Sequence, residues 1–432
     1  MNIVQITAGA GGMYCGNCIR DNALVAALRR MGHQALLVPL YLPLTLEEDD
    51  QSAGNPIFFS GINVYLEQKS ALFRRAPRWA HDLLAWPGLL KRVGRVAAKT
   101  RAEDVGDLTL SMLRGEQGNQ ARELDELITW LKIQPKADLV CLSNALLIGL
   151  ARQLKRDLDI PVACLLQGEH SFLDALPATC RAAAWSILAE RAAEVDLLVA
   201  PSRYFAGMMS HRLGLPTDRV QVVCNGINLA GYAPADTPPS PPVLGYFARM
   251  CPDKGLDTLV EAYLILRQRD RVKELKLRVG GGCGPSDEPF VNTLRERLRA
   301  HGRLGDVEFC PNLDRSAKQA FFRSLSVFSV PALYGEAFGL YLLEAWASGV
   351  PVAQPRHGAF PELIETTGGG VLCEPGAPAA LAEAIEQLLM NPTVARTLGD
   401  AGRKAALERF SAERSAEEIL RVFHEVVAGR TR

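Results

Sequence analysis

Short apolar runs alternate with segments of helical periodicity along this chain, in two successive series. Strands of a parallel sheet are covered by helices on both faces, so they appear in sequence as short, continuous apolar runs. The runs predict strands at Asn2–Thr7, Gln34–Pro39, Leu139–Leu142, Val162–Leu166, Leu197–Ala200 and Val220–Cys224, and then at Val243–Phe247, Leu275–Gly280, Val307–Cys310, Val327–Val330 and Val350–Ala353. The sequence therefore predicts an α/β protein with two doubly wound, Rossmann-like sheets.

A proline-rich segment separates the two series of strands. Proline holds a chain extended and semi-rigid, so residues 231–242 are predicted to be an interdomain linker. We expect an N-terminal domain over residues 1–230, a second domain over 243–411, and a final helix within 412–432 that crosses back to the first domain. A length of 432 residues, beyond the usual size of one domain, agrees with this division.

Charge and hydropathy exclude several classes of protein. The 48 basic residues equal the 48 acidic ones, so the chain has no overall attraction for nucleic acid. The apolar start has no basic leader and is expected to be a buried strand rather than a signal peptide. The sequence has no continuous apolar, uncharged run of about eighteen residues, the length that a membrane-spanning helix needs. Most of the ten cysteines lie in apolar runs, as is typical of reduced core residues. We expect a cytoplasmic protein.

A basic segment departs from the simple pattern, within a predicted helical insertion over residues 65–130. Nine basic residues and a single acidic one lie between Lys69 and Arg101, with Trp79 and Trp86 among them. One interpretation is an amphipathic helical insertion that packs on the first domain. The other is a surface for anionic lipid or for a phosphorylated acceptor, at the inner face of the membrane.

The loop after the first strand contains Gly9, Gly11 and Gly12. Glycine lets backbone N–H groups approach a phosphate, and the helix that follows adds partial positive charge. The spacing is not that of the dinucleotide-binding fingerprint, and no acidic residue ends the second strand, which disfavours a dehydrogenase. Cys15 and Cys18 form a Cys-x-x-Cys pair with no second pair for a zinc site, so thiols that line the loop are favoured over redox or metal chemistry.

Arg249 and Lys254 lie on the loop after the predicted strand Val243–Phe247. Open α/β sheets bind ligands at this carboxyl edge, and two cations there could neutralise a diphosphate, arginine by a forked contact and lysine as a point charge. Two solvated surface charges are the alternative.

Glu336 and Glu344 are eight residues apart and are predicted to lie on one helix. At the rise of an α-helix the two carboxylates would be about 12 Å apart on roughly one side. That spacing suits one carboxylate accepting from sugar hydroxyls and the other from ribose hydroxyls. By itself such a pair is common in helices.

The run from Glu336 to Val352 resembles the signature of retaining glycosyltransferase family four. The resemblance extends over nearly the whole chain and includes the Gly11-Gly12 loop, Cys224–Asn228, Arg249 with Lys254, and the loop Gly358–Glu362. It implies the GT-B fold, in which two Rossmann-like domains face each other across a cleft, the first binding the acceptor and the second the nucleotide-sugar.

The resemblance implies a metal-independent, retaining hexosyltransferase without a cofactor. Its donor would be a UDP- or GDP-linked sugar, and its acceptor a sugar, a lipid-linked molecule or another small molecule. By analogy Arg249 and Lys254 hold the diphosphate, Glu336 contacts the transferred sugar and Glu344 binds the ribose. Further donor-binding residues would be Gly11, Gly12, Phe338, Gly339, Gly358, Ala359 and Phe360, with Tyr14, Asn17 and Glu169 on the acceptor side.

The chain departs from the family pattern after the predicted strand Val162–Leu166, where members commonly carry a histidine. His170 is either that catalytic group displaced, with Glu169 as its partner or substitute, or an exposed loop histidine. The family's paired glycines before Glu362 are replaced by His357 and Gly358. A non-catalytic nucleotide-sugar-binding module and a glucan synthase-like enzyme remain alternatives with the same fold.

Overall fold

The computed structural model describes residues 1–9, 16–59 and 102–430. It divides into two compact units: Met1–Cys224 with Ala416–Arg432 form the first unit, and Asn225–Ser415 form the second unit. The basic segment between Lys69 and Arg101, together with Gly11, Gly12, Tyr14 and Cys15, lies outside the described residues.

The described part of the first unit contains a six-stranded parallel sheet in the order β2-β1-β3-β4-β5-β6. The strands are β1 Asn2–Thr7, β2 Gln34–Pro39, β3 Leu139–Leu142, β4 Val162–Leu165, β5 Leu197–Ala200 and β6 Val220–Val222. Every residue of β3, β4 and β5 is buried, which explains why these strands appear as unbroken apolar runs.

Helices follow the strands of the first unit. They are α1 Gly16–Arg30, α2 Ala102–Arg114, α3 Ala121–Lys132, α4 Ala151–Leu158, α5 Glu169–Ala175, α6 Ala178–Ala192 and α7 Arg203–Leu213. Ser202 begins α7 as an N-cap whose hydroxyl accepts from the Phe205 N–H, and Gly214 ends it in the left-handed conformation.

The described second unit contains another six-stranded parallel sheet, in the order β12-β11-β10-β7-β8-β9. Its strands are β7 Val243–Phe247, β8 Lys276–Gly281, β9 Val307–Pro311, β10 Val327–Phe328, β11 Val352–Pro355 and β12 Gly370–Cys373. The predicted α/β class with two Rossmann-like sheets is confirmed. The prediction missed β12, a four-residue edge strand that is only partly buried and therefore lacks a strong apolar run.

The helices of the second unit also alternate with its strands. They are α8 Leu256–Arg269, α9 Glu288–Ala300, α10 Arg315–Arg323, α11 Leu340–Ala347, α12 Phe360–Thr367, α13 Pro378–Met390 and α14 Pro392–Arg409. The last helix, α15 Ala412–Arg430, joins the first unit from Ala416 onward. Within residues 1–9, 16–59 and 102–430, none of the helices has the length and apolar character that crossing a bilayer requires.

The strand order of the second unit creates a topological switch point between β7 and β10. The chain runs outward from β7 to β8 and β9 on one side, and from β10 to β11 and β12 on the other. The loops that leave β7 and β10 therefore diverge at the carboxyl edge of the sheet, where open α/β sheets form a ligand-binding crevice.

Candidate active site

Backbone hydrogen bonds hold three loops together at the carboxyl edge of the second unit. The N–H of Leu333, after β10, donates to the carbonyl of Asp253, after β7, over 3.0 Å. The N–H of Ala359, after β11, donates to the carbonyl of Glu336 over 2.9 Å. These contacts fix the loop that carries Glu336 between its two neighbours.

An ion pair joins the two loops that diverge at the switch point. Lys254 ends the 3₁₀ turn Pro252–Lys254, and its Nζ lies 2.5 Å from Oε2 of Glu336. The hydroxyls of Tyr334 and Tyr341 also donate to Oε2, over 3.3 and 3.0 Å. Lys254 Nζ lies 5.0 Å from the ring centroid of Tyr334, a favourable cation–π distance. Lys254 and Glu336, 82 residues apart in sequence, are thus brought together.

Both members of this pair are charged in the neutral pH range. Burial lowers the pKa of Lys254, but the attraction of Glu336 outweighs burial and the pKa is raised above its ordinary value. Burial raises the pKa of Glu336, but the Lys254 charge and the two tyrosine hydroxyls outweigh it and the pKa is lowered. The pair therefore places a fixed positive charge beside an ionised acceptor.

Arg249 contacts a different carboxylate. Its Nη2 lies 2.9 Å from Oδ1 of Asp287, and its Nε donates to the same oxygen over 3.1 Å. Asp287, in the loop after β8, is buried and also accepts from the N–H of Gly284 over 3.0 Å. The hydrogen bonds of Asp287 raise the pKa of Arg249, which stays protonated. The Arg249 side chain is 59% exposed, and a guanidinium has five N–H donors, so donors remain for an anion.

Glu344 lies on α11 and is held by residues from two distant segments. Its Oε1 lies 2.5 Å from Nζ of Lys318 on α10 and accepts from the hydroxyl of Tyr232 over 2.9 Å. The side chains of Glu344 and Lys318 are 12% and 5% exposed, so this ion pair is largely buried.

The prediction that one helix carries both carboxylates was wrong. Helix α11 begins at Leu340, and Glu336 lies in the preceding loop. Gly339 separates them with a φ of 95°, a left-handed conformation in which a helix does not propagate. The spacing of about 12 Å along a helix axis therefore does not apply.

The sequence was compared with models of known protein families. The family model described as "Glycosyl transferases group 1" matches residues 233–405, and the model described as "Glycosyltransferase Family 4" matches residues 109–230. The chain belongs to the family-four glycosyltransferases. The two matches together include most of the described residues of both units.

Curated relatives match this chain over part of their length. The D-inositol 3-phosphate glycosyltransferase of Salinispora arenicola is 32% identical over 253 residues, which cover 55% of this chain and 56% of that protein. The enzyme of that name from Segniliparus rotundus is 30% identical over 247 residues, which cover 55% of this chain and 54% of that protein. The chain thus spans about half the length of the curated relatives it matches.

Solved structures share the fold over nearly the whole chain. Sucrose-phosphate synthase of Thermosynechococcus elongatus is 16% identical, with a TM-score of 0.72 over 99% of both chains. HepE of Anabaena in complex with UDP-glucose is 16% identical, with a TM-score of 0.69 over 98% of this chain and all of the other. At such identities the likeness establishes the GT-B fold alone.

The other predicted donor residues of the second unit lie in its packed loops. Phe338 is buried against Phe410, with ring centroids 6.1 Å apart, and Phe360 is buried at the start of α12. The N–H groups of Ala359 and Phe360, predicted to complete the site, donate to the carbonyls of Glu336 and His357. These residues hold the loops in place.

Glu169 and His170 belong to the first unit and begin α5. The Glu169 carboxylate accepts from the N–H groups of Ala145 over 2.7 Å and Gln167 over 2.8 Å, and burial raises its pKa. His170 is buried, with its ring centroid 5.3 Å from that of Phe205, so the interpretation as an exposed loop histidine is wrong. Asn17 is partly buried on α1.

The contacts of the predicted residues involve side chains that sequence reasoning did not single out: Tyr232, Asp287, Lys318, Tyr334 and Tyr341. Asp287 could have been found, because it ends the loop after β8, and that loop leaves the same carboxyl edge of the sheet as the loop after β7 that carries Arg249. Lys318 and Tyr232 carried no local signal, since they meet Glu344 only through the fold. Across the described ranges, no group of three or more histidine, cysteine or acidic side chains is arranged to hold a metal ion.

Proposed function

We propose that this protein is a retaining, metal-independent hexosyltransferase. It transfers a sugar from a UDP- or GDP-linked donor to a hydroxyl of an acceptor. The observation that carries the proposal is the Lys254–Glu336 pair at the switch point of the second sheet, with Arg249 on the same loop as Lys254. A cation beside an ionised acceptor matches a nucleotide-sugar, whose diphosphate is anionic and whose sugar carries hydroxyl donors.

The chemical role of the cations is to stabilise the leaving group. Negative charge grows on the departing phosphate while the sugar gains oxocarbenium character, and preorganised charges act most strongly on such a transition state. Lys254 and Arg249 supply this stabilisation in the proposal, in place of a divalent cation. The described contacts of the Glu336 carboxylate are to Oε2, so Oε1 is the oxygen we assign to a sugar hydroxyl.

Retention follows from attack on the same face as the leaving group. The bond between the anomeric carbon and the phosphate oxygen breaks as the bond to the acceptor oxygen forms. The departing phosphate oxygen takes the acceptor's proton, so the reaction balances without a dedicated base. His170 is then not required as a general base, and Glu169 stays a candidate for the acceptor side.

The relatives suggest which substrates to test first. HepE of Anabaena is described with UDP-glucose, which makes UDP-hexoses the first donors to test. The curated relatives are named for D-inositol 3-phosphate, which favours a polyhydroxylated small molecule as the first acceptor class. GDP-hexoses form the second donor set.

Substitution of the two cations tests the proposal. Turnover of the preferred donor is measured for wild-type protein, Lys254→Ala and Arg249→Ala. We expect each variant to lose at least about 100-fold in kcat, the usual cost of removing one transition-state donor. The product's anomeric configuration, read by NMR, tests retention.

Two ion pairs elsewhere in the second unit provide matched controls. Lys276 lies 2.5 Å from Asp306, and Arg299, whose side chain is 59% exposed like that of Arg249, pairs with Glu296. Lys276→Ala and Arg299→Ala should keep wild-type turnover. Full activity in folded Lys254→Ala and Arg249→Ala would remove the proposed role. Binding of nucleotide-sugar by wild-type protein without turnover would favour a non-catalytic module.

A further inference from the structure

Two residues hold one oxygen of the Glu344 carboxylate. Lys318 Nζ lies 2.5 Å from Oε1, and the Tyr232 hydroxyl donates to the same atom over 2.9 Å. The described contacts of this carboxylate go to Oε1, while Oε2 accepts in none of them. The carboxylate plane is therefore fixed by two donors on one side.

Lys318 is an unusual residue for its position. Its side chain is 5% exposed on α10, and its Nζ lies 5.9 Å from the ring centroid of Phe247 at the end of β7. Burying an ammonium group costs free energy unless a carboxylate and hydrogen bonds compensate. Glu344 provides that compensation, because the Lys318 ammonium group pairs with its carboxylate and is shielded from solvent.

Tyr232 is held in place by the same helix. Arg315 and Gln319 donate to the carbonyl of Ala230, over 2.9 Å in each case. The Tyr232 ring packs edge-on against Phe322, with centroids 6.2 Å apart. Helix α10 therefore fixes both donors, Lys318 directly and Tyr232 through the segment that precedes it.

We propose that Lys318 and Tyr232 are positioning residues that hold Oε1 of Glu344 so that Oε2 accepts a ribose hydroxyl of a bound nucleoside diphosphate. This inference rests on the proposed function, because it needs a nucleotide in the second unit. The expected outcome is selectivity for ribose over deoxyribose that depends on two residues with no contact to the ligand.

The two residues contribute differently. Lys318 supplies a positive charge that offsets the charge of Glu344, which would otherwise repel a nearby diphosphate. Tyr232 supplies direction without charge. Removing Lys318 should therefore weaken binding of every nucleoside diphosphate in addition to weakening discrimination between ribose and deoxyribose. Removing the Tyr232 hydroxyl should mainly weaken that discrimination.

Calorimetric binding to the full-length protein tests this proposal. The ligands are UDP with its 2′-deoxy and 3′-deoxy analogues, and GDP with the same analogues. Wild-type protein should bind one deoxy analogue about tenfold more weakly than the parent nucleotide, as expected for the loss of a hydrogen bond to a charged group. In Lys318→Met and Tyr232→Phe this ratio should fall to about threefold or less, and Lys318→Arg should restore part of it.

Matched controls separate positioning from a general effect on folding. Lys276→Met breaks the ion pair with Asp306, and Tyr263→Phe removes a buried hydroxyl that donates to the carbonyl of Leu275 over 3.1 Å. Both lie near the amino end of β8, and both should leave the ratio unchanged. Melting curves report folding for each variant, and Tyr232→Phe carries the test if Lys318→Met does not fold.

Each result has a definite consequence. An unchanged ratio in folded Tyr232→Phe and Lys318→Met would overturn the positioning role. Wild-type protein that binds UDP or GDP with no preference for ribose would also overturn it, while the proposed function would stand. Wild-type protein that binds neither nucleotide would instead contradict the proposed function.

Discussion

Carboxylates hold the cations that the candidate active site offers to an anion. Among the described residues these ion pairs are Arg249 with Asp287 and Lys254 with Glu336. Because each pair has little net charge, an incoming diphosphate is attracted mainly by N–H donors that the carboxylate does not use, such as those of Arg249. A buried pair such as Lys254 with Glu336 is weak evidence for stability by itself, because removing two charges from water offsets their attraction.

The pKa shifts of one pair predict how stability depends on pH. The pKa of Glu336 is lowered from 4.5, so its ionic contribution to stability is complete above about pH 4.5 and is lost as the pH falls through the lower folded value. Glu336→Gln removes this contribution and leaves Lys254 without its carboxylate. We expect it to lower the free energy of unfolding by about 1–3 kcal/mol at pH 7.

Urea unfolding at pH 7, 5 and 3.5 measures this dependence. The difference between wild-type protein and Glu336→Gln should shrink at pH 3.5, and Glu296→Gln on the exposed face of α9 should differ little from wild type throughout. A difference of constant size at all three pH values would contradict the assignment of the lowered pKa to Glu336.

At the scale of elements, the site depends on how closely loops approach one another. The loop after β10 carries Glu336 and is bonded to the loop after β11 through Ala359. Gly358 lies at their contact with a φ of 61°, and a Cβ there would lie 2.5 Å from the backbone nitrogen of Glu336. A side chain at this position would be strained and would also push Glu336 away.

Gly358→Ala tests that approach against a control with the same backbone conformation. Gly376 has a φ of 65°, and a Cβ there would have no neighbour within 4 Å. Both alanine variants should lose about 1 kcal/mol to the left-handed backbone. We expect Gly358→Ala to lose more stability than Gly376→Ala, and to lose about tenfold or more in kcat because Glu336 and Lys254 separate.

Chemical denaturation and steady-state kinetics provide the two measurements. Equal stability and equal kcat in the two glycine variants would show that the loops relax without cost. A loss of stability without a loss of kcat would place the clash away from the reacting groups.

At the scale of the whole molecule, the candidate site residues are divided between two units, each with its own sheet. The second unit carries the ion pairs assigned to the nucleotide, and the first unit carries the buried Glu169 and His170. A ligand that binds only the folded second unit stabilises that unit by mass action. Nucleotide binding is therefore measurable as a thermal shift before any acceptor is known.

A thermal-shift experiment tests two predictions, that a nucleotide stabilises the protein and that no metal ion is needed. UDP or GDP at about 100 times its dissociation constant should stabilise the second unit by about 2.7 kcal/mol and raise its melting temperature by several degrees. EDTA should change neither this shift nor turnover, because the proposal assigns leaving-group stabilisation to Arg249 and Lys254. Loss of either on adding EDTA, with recovery on adding Mg²⁺, would contradict metal independence.

The basic segment between Lys69 and Arg101 keeps its two interpretations. If it is a lipid surface, the protein should sediment with vesicles that contain anionic lipid and stay in solution with neutral vesicles. Added salt should release it, because electrostatic attraction to a surface is screened. Protein that stays in solution with both kinds of vesicle would favour the helical insertion.

The sequence by itself determined the class of fold and the position of the key cations. Strands buried on both faces require continuous apolar runs, so β1, β3 and β7 were predicted at their observed bounds. Arg249 and Lys254 were predicted at a carboxyl edge because they follow β7 directly. Such features depend on neighbours in sequence, and periodicity records them.

Tertiary structure alone decided which charges meet. Glu336 was predicted on a helix, but the left-handed backbone of Gly339 separates it from the helix that follows. Glu336 therefore lies in a loop, where its carboxylate pairs with Lys254, 82 residues away in sequence. Lys318 and Tyr232 reach Glu344 from segments 26 and 112 residues distant. Such pairings depend on strand order and loop packing, which bring distant residues together without leaving a periodic trace in the sequence.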